Sequence, residues 1–262
     1  MKIRNIILSL SSIGLLSSLA VASPFDGLYV GAGAGMASKS MDLNVSHFVA
    51  FESNGEIFSP NVSQGAGSDV NRFSPVETIS IGWGHVLENT NVYLGAEAFG
   101  SLANRKASDE INLSTVSYAG TDTLTSSSSV QMNNKELGID LKPGYVVGNT
   151  LFYGRLGLAL NQATLKSDAS HSLNNMLFND SSSLHIAENH NFVGVRLGFG
   201  AEHLMTQHLA LTADYVFTYY GKATFNGVTS SSTDFPEEHE YLNNSVRVTS
   251  QEATVGVAYY FQ

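Results

Sequence analysis

Residues 136–147, ELGIDLKPGYVV, alternate strictly: Glu136, Asp140 and Lys142 fall on one face, and Leu137, Ile139, Leu141, Tyr145 and Val147 on the other. A period of two marks a β-strand with unlike faces. The same period runs through eight segments, at about 27–40, 75–87, 91–103, 135–147, 151–165, 191–204, 208–222 and 247–261. Their joins alternate in length. ENT at 88–90, GNT at 148–150 and MTQ at 205–207 are tight, whereas about 41–74, 104–134, 166–190 and 223–246 are long and rich in Ser, Asn and Thr. The pattern predicts an all-β fold: an eight-stranded antiparallel up-and-down barrel with three short turns and both chain ends on one side, and four long loops on the other.

Alternation alone does not say which face meets water. A soluble barrel of the lipocalin type turns its charges outward, and a barrel in a membrane does the reverse. Three features favour the membrane. First, GVRLGFGAE puts Gly194, Arg196, Gly198, Gly200 and Glu202 on one side and Val193, Val195, Leu197, Phe199 and Ala201 on the other; small residues mixed with both signs of charge suit the cramped bore of a narrow barrel. Second, Trp83, Tyr145, Phe152, Tyr259 and Phe261 all have apolar-face parity beside the short turns and the last strand end, where a membrane interface collects aromatic rings. Third, the basic residues are sorted. Lys142, Arg155 and Arg196 lie on bore faces, while Lys39, Arg72, Arg105, Lys106, Lys135, Lys166, Lys222 and Arg247 fall near the long-loop ends, a candidate rim for lipopolysaccharide phosphates. Wet strand ends also accept any charge, so the rim assignment has a plain alternative. The opening stretch is therefore expected to face its Leu, Ile and Val to lipid, with Pro143 absorbed by a bulge.

The chain starts with Lys2 and Arg4, a Ser-broken apolar run from Ile6 to Leu19 and small residues Ala20 to Ala22. This is the order of a secretory signal peptide over 1–22, leaving residues 23–262 as a single outer-membrane β-barrel domain. Formal charge moves from −10 to −12 when Lys2 and Arg4 leave, a sign that argues against nucleic acid as a partner. Cys is absent, so no disulfide staples this exported chain.

GLYVGAGAGMA (27–37), LGAEAFGSL (94–102), YGRLGLAL (153–160), FVGVRLGFGAEHLMTQHLALTADYVF (192–217) and the terminal VGVAYYFQ resemble the eight-stranded outer-membrane barrel family of opacity-type surface antigens and OmpA-like transmembrane domains. The resemblance covers the whole mature chain and rests on pattern. It implies the Gram-negative outer membrane, loops facing the cell exterior, and a terminal strand read by the barrel-assembly machinery; Gln262 departs from the usual final aromatic.

Chemistry is sparse. GAGAG at 31–35 lies within a strand rather than at a strand–turn–helix junction, so it does not read as a phosphate loop. His185, Glu188 and His190 match no zinc-enzyme spacing, and PEEHEY at 236–241 is an acidic patch more often solvated than metal-bound. The family's lipid A deacylases use His-x-Ser, which none of the eight His residues satisfies; His85 and His203 point outward with no evident carboxylate on their own face. No catalytic residue, cofactor site or metal site is nominated, and the chain is read as a non-enzyme. The informative set is the bore, where Glu97, Glu136, Asp140, Glu202, Asp214 and Glu252 meet Lys142, Arg155 and Arg196. The expected function is an anchor for surface-exposed loops in surface interaction, adhesion and envelope integrity, with host or cell-surface ligands met through the loops and the bore plugged by salt bridges. A narrow cation-preferring channel is the alternative, and a lipid-modifying barrel enzyme a remote one.

Overall fold

The computed structural model describes residues 23–53, 56–66, 72–103, 108–116, 122–174, 179–231 and 237–261. The expected signal peptide, Arg105, Lys106, Pro236 and Gln262 lie outside the described residues. Among the described residues, eleven strands follow in order: β1 Gly27–Ser53, β2 Glu56–Ala66, β3 Arg72–Val86, β4 Val92–Ala103, β5 Ser108–Val116, β6 Asp122–Met132, β7 Lys135–Val147, β8 Thr150–Asn174, β9 Asn179–Leu204, β10 Leu209–Ser231 and β11 Glu237–Phe261.

Eight of them close a ring, β1-β3-β4-β7-β8-β9-β10-β11 and back to β1, with every neighbouring pair antiparallel. Its short turns are β-hairpins. Gly148 takes φ +60° between paired Val147 and Thr150, and Asn89 takes φ 57° in the β3–β4 turn, the left-handed conformation that tight hairpins demand. Pro143 keeps its place opposite Leu94 on β4. Towards β8 the ladder runs from Leu141↔Leu156 directly to Gly144↔Tyr153 with no change of register. The missing donor thus opens a two-pair gap in the ladder, not the bulge expected from the sequence.

The wall is inverted relative to a soluble barrel. Ile139 and Leu141 are 62% and 58% exposed while Asp140 and Lys142 between them are 2% and 0% exposed. Leu28, Ile79, Trp83, Leu156, Leu197, Phe199 and Val255 also stand outward.

The long joins are not loops for most of their described length, which corrects the sequence-based expectation. β1 continues to Ser53, β8 to Asn174, β10 to Ser231, and β2, β5 and β6 are additional strands. A bilayer crossing takes only about 9–11 residues, so strands of 23 to 27 residues such as β10 and β1 rise well beyond it. There the ring splits into two four-stranded sheets: β2-β1-β11-β10, and β5-β6-β8-β9. Ladder β9–β10 ends at Tyr219↔Val195, and β10 then changes register between Tyr219 and Lys222, with Gly221 at φ +79°.

In this crown the hydropathy of the two faces reverses without a change of parity. On β1 the inward residues pass from Tyr29, Gly31 and Gly33 to Met41, Leu43 and Val45, all three of which are buried. The outward ones pass from Leu28 and Val30 to Asp42 and Asn44. Met41, Leu43, Phe225 and Val246 of the first sheet and Val130, Leu165 and Phe192 of the second share one apolar cluster. Asn244 Nδ2 on β11 donates to Ser167 Oγ on β8 at 3.1 Å, tying the sheets together. The crown therefore has an ordinary protein core standing on an inside-out barrel.

The inversion makes a direct prediction. Ile139→Arg or Leu156→Arg, each placing a cation on the outer wall, is expected to cost about 2–4 kcal/mol near mid-membrane, whereas Lys166→Ala in the crown costs little. Urea unfolding in lipid vesicles measures the difference.

Candidate functional site: the charged bore

Within the ring, alternate residues converge on a bore too narrow to leave them in bulk water. Lys142 on β7 is fully buried. Its Nζ lies 2.7 Å from Glu202 Oε1 and 3.4 Å from Glu97 Oε2, and it donates to Tyr29 Oη at 3.1 Å. Arg155 on β8 spans three carboxylates: Nη1 is 2.6 Å from Glu97 Oε1 and 3.0 Å from Asp140 Oδ2, and Nε is 2.8 Å from Asp214 Oδ1. Arg196 on β9 holds Glu136 Oε1 at 2.9 Å, and its Nε lies 3.3 Å from Asp140 Oδ1 at an angle that leaves both atoms without a hydrogen bond. The guanidinium of Arg196 sits 3.8 Å from the Phe99 ring centre. Burying ions is costly unless each is paired and hydrogen-bonded; here each base is shared between at least two acids.

Tyrosines complete the shell, and sequence reasoning missed them. Tyr29 donates to Glu97 at 2.9 Å, Tyr153 to Asp214 at 2.7 Å and Tyr220 to Glu136 at 2.5 Å, and Tyr260 donates to Glu202. Lys142 also lies 4.2 Å from the Tyr153 ring centre, close enough for a cation–π attraction. The signal was present: each of these rings shares the parity of its strand's bore residues, as Tyr153 does with Arg155. A glycine makes room for them, since a Cβ at Gly200 would stand 2.5 Å from Asp214 Oδ1 and 2.7 Å from the Tyr153 ring.

Glu97, Glu136, Asp140, Lys142, Arg155, Arg196, Glu202 and Asp214 are thus gathered into one connected set. Glu252 is the exception. It is buried on the bore face, yet among the described residues no cation lies within ion-pair distance of it. It borders a polar cavity of about 50 Å³ lined by Gly31, Gly33, Thr78, Ser80, Thr212 and Thr254, room for a few waters and no larger solute. At the short-turn end the bore is filled by Phe25, Tyr29, Tyr93, Leu151, Leu204 and Tyr260. At the other end it meets the apolar cluster of the crown.

The basic rim is only partly as expected. Lys39 is a correction: it is buried on the inward face, with Nζ donating to the Asn133 carbonyl at 3.5 Å, because position 39 has bore parity. Lys135, Lys222 and Arg247 are exposed near the ends of the apolar band. Lys166 is exposed too, but it stands six residues past outward Leu160, roughly 20 Å further along the strand. The side chain of Arg72 lies outside the described residues. Trp83, Tyr145, Phe152, Tyr259 and Phe261 are all outward and about half exposed. Phe73 and Tyr219 are outward aromatics near the opposite edge of the apolar band, at the start of β3 and the end of the β9–β10 ladder, which the sequence reading did not single out.

Two histidines acquire partners that their own strand faces do not supply. His85 Nδ1 lies 3.4 Å from Asp26 Oδ1, in the segment before β1, and His203 Nδ1 lies 2.9 Å from Thr150 Oγ1. His85 has a carboxylate without a hydroxyl, and His203 a hydroxyl without a carboxylate, among the described residues. In the crown, His185 pairs with Asp168 at 2.5 Å, whereas His190 packs against Phe192 and Phe225. Glu188, His185 and His190 are not assembled into a metal-binding group among the described residues.

Residues 6–261 match the family model described as "Outer membrane protein beta-barrel domain", so the chain belongs to that family of Gram-negative outer-membrane barrels. Among solved structures it is similar to the outer membrane protein OprG from Pseudomonas aeruginosa, with 14% identity, 90% of this chain and 97% of that one covered, and a TM-score of 0.42. It is also similar to Neisserial surface protein A, with 15% identity, coverages of 92% and 100%, and a TM-score of 0.31. A third is Ail, the attachment invasion locus protein of Yersinia pestis, solved with the heparin analogue sucrose octasulfate: 10% identity, coverages of 81% and 98%, and a TM-score of 0.28. No curated protein matches the chain.

Removing one shared base should be expensive. Arg155→Met leaves Glu97, Asp140 and Asp214 short of a cation, and is expected to lower stability by about 3–5 kcal/mol, read as a drop in the urea midpoint of the vesicle-embedded protein. Lys135→Met, on the exposed rim, should shift it by less than about 1 kcal/mol.

Proposed function

We propose that this chain is an outer-membrane anchor that displays its β-sheet crown at the cell surface for interaction and adhesion, contributing also to envelope integrity, with its bore plugged by its own charges. One observation carries the proposal: a crown with its own apolar core stands on a bore whose ion pairs lie between two apolar clusters. A chain that needed only to cross the membrane would join its strands with a few residues. A transport path would leave more than a few waters' space beside Glu252 and Asp214. In this account the crown faces outward, exposed Lys135, Lys222 and Arg247 meet lipopolysaccharide phosphates, and the barrel-assembly machinery reads the terminal strand.

A narrow cation-preferring path is the second reading, favoured by the acidic excess of the bore and by Glu252 beside the cavity, which among the described residues has no cation within ion-pair distance. Planar-bilayer recording separates the two. The anchor reading expects no steady conductance from the intact protein. Steady cation-selective current, reduced by Glu252→Gln or Asp214→Asn, would establish the channel instead. A variant with short turns in place of the crown, shown to fold by heat-modifiable gel mobility, should lose surface binding; unchanged adhesion would remove the display role.

A further inference from the structure

The split in the crown leaves strand edges that the fold itself does not use. Beyond Tyr219↔Val195, β10 is paired only with β11 and β9 only with β8, among the described residues. From Lys222 to Ser231, β10 runs opposite Arg247 to Glu238 of β11, and among the described residues no strand pairs with its other edge. An antiparallel strand in such a position turns half of its main-chain N–H and C=O groups to its open side. Natural sheets usually protect edges with proline, inward charges or a covering segment. Here the sequence KATFNGVTSS holds one charge, Lys222 at its base, and no proline. On the inner side, the Phe225 ring packs against His190 at 5.6 Å between ring centres, so β9 approaches through a side chain rather than a ladder. Thr224 and Asn226 are exposed on the outer side.

The split is built in. Gly221 at φ +79° and the register change between Tyr219 and Lys222 turn β10 away from β9 just where the apolar wall ends. Bulges recur where a sheet terminates its pairing or re-aims a strand.

We propose that the open edge of β10, Lys222 to Ser231, is a docking site for an extended polypeptide segment of a partner protein, added as an antiparallel strand. Main-chain hydrogen bonds supply the attraction, and alternate side chains read the neighbouring surface. Charge specifies the partner further. Along the β10–β11 ladder, Glu238 and Glu240 stand opposite Ser231 and Thr229 at the far end, with Glu237 beginning β11, against Lys222 and Arg247 at the base, so the segment the edge takes is cationic. A second copy of this chain is the poorer occupant: all copies share one orientation in the membrane, and a two-fold axis along its normal would bring β10 to its mate in parallel, the weaker ladder. The inference rests on the display function proposed above.

The test uses the full-length protein in lipid nanodiscs and a synthetic peptide of about ten residues alternating Lys and Val. The peptide should bind and slow amide hydrogen exchange within 222–231. The same peptide with alternate amides N-methylated on its edge-facing side keeps every charge but cannot donate, and should bind at least about tenfold more weakly, the loss of one or more net hydrogen bonds. Equal affinity for the methylated peptide, binding without protection of 222–231, or no binding at all would overturn the docking site. Failure of the display role would appear separately, as unchanged adhesion by the crown-shortened variant.

Discussion

A sheet surrounded by hydrocarbon cannot have an edge, because each unpaired N–H or C=O there costs several kcal/mol. Closing eight strands into a ring meets that constraint and imposes the rest. The outer face must be apolar, so the charges that the chain carries have only the bore to occupy. The bore of eight strands is narrow, so those charges must satisfy one another. Lys142, Arg155 and Arg196 are each shared among carboxylates, four tyrosine hydroxyls add hydrogen bonds to Glu97, Glu136, Glu202 and Asp214, and glycines such as Gly200 leave space for the rings.

Past the apolar band the constraint relaxes. Water can satisfy backbone groups, so strands are free to end, split and leave edges open. Met41, Leu43 and Val45 then point into a dry core from the same face of β1 that carries Gly31 and Gly33 lower down. The closed ring gives rigidity and the split crown gives reach. The β10 edge that no strand pairs with among the described residues is tolerable only there, and the proposed display role would use that division of labour.

The ring was legible in the sequence because its alternation is strict and its turns are short. Segment 135–147 matches β7, and the joins at 88–90 and 148–150 fall at the β3–β4 and β7–β8 turns. The crown was not legible. Its Ser-, Asn- and Thr-rich outer face resembles loop composition, and its inward Met41, Leu43 and Val45 break the rule that bore residues are small or charged. Continued parity was the available clue, and it also places Lys39 inside rather than on the rim. Bore membership was readable from parity, whereas individual pairing was not: Arg155 on β8 meets Asp214 on β10 past the intervening β9, a contact set by strand stagger. Glu252 shares the parity of the network, yet among the described residues no cation comes within ion-pair distance of it, for the same reason.

The inverted wall is the claim on which everything else stands, and the lack of native Cys makes it directly measurable. Single cysteines placed in turn at positions 137 to 142 of the membrane-embedded protein can be challenged with a lipid-soluble maleimide. The account predicts labelling that alternates, strong at 137, 139 and 141 and weak at 138, 140 and 142. Labelling of the opposite phase, with 140 and 142 reactive and 139 and 141 protected, would contradict it.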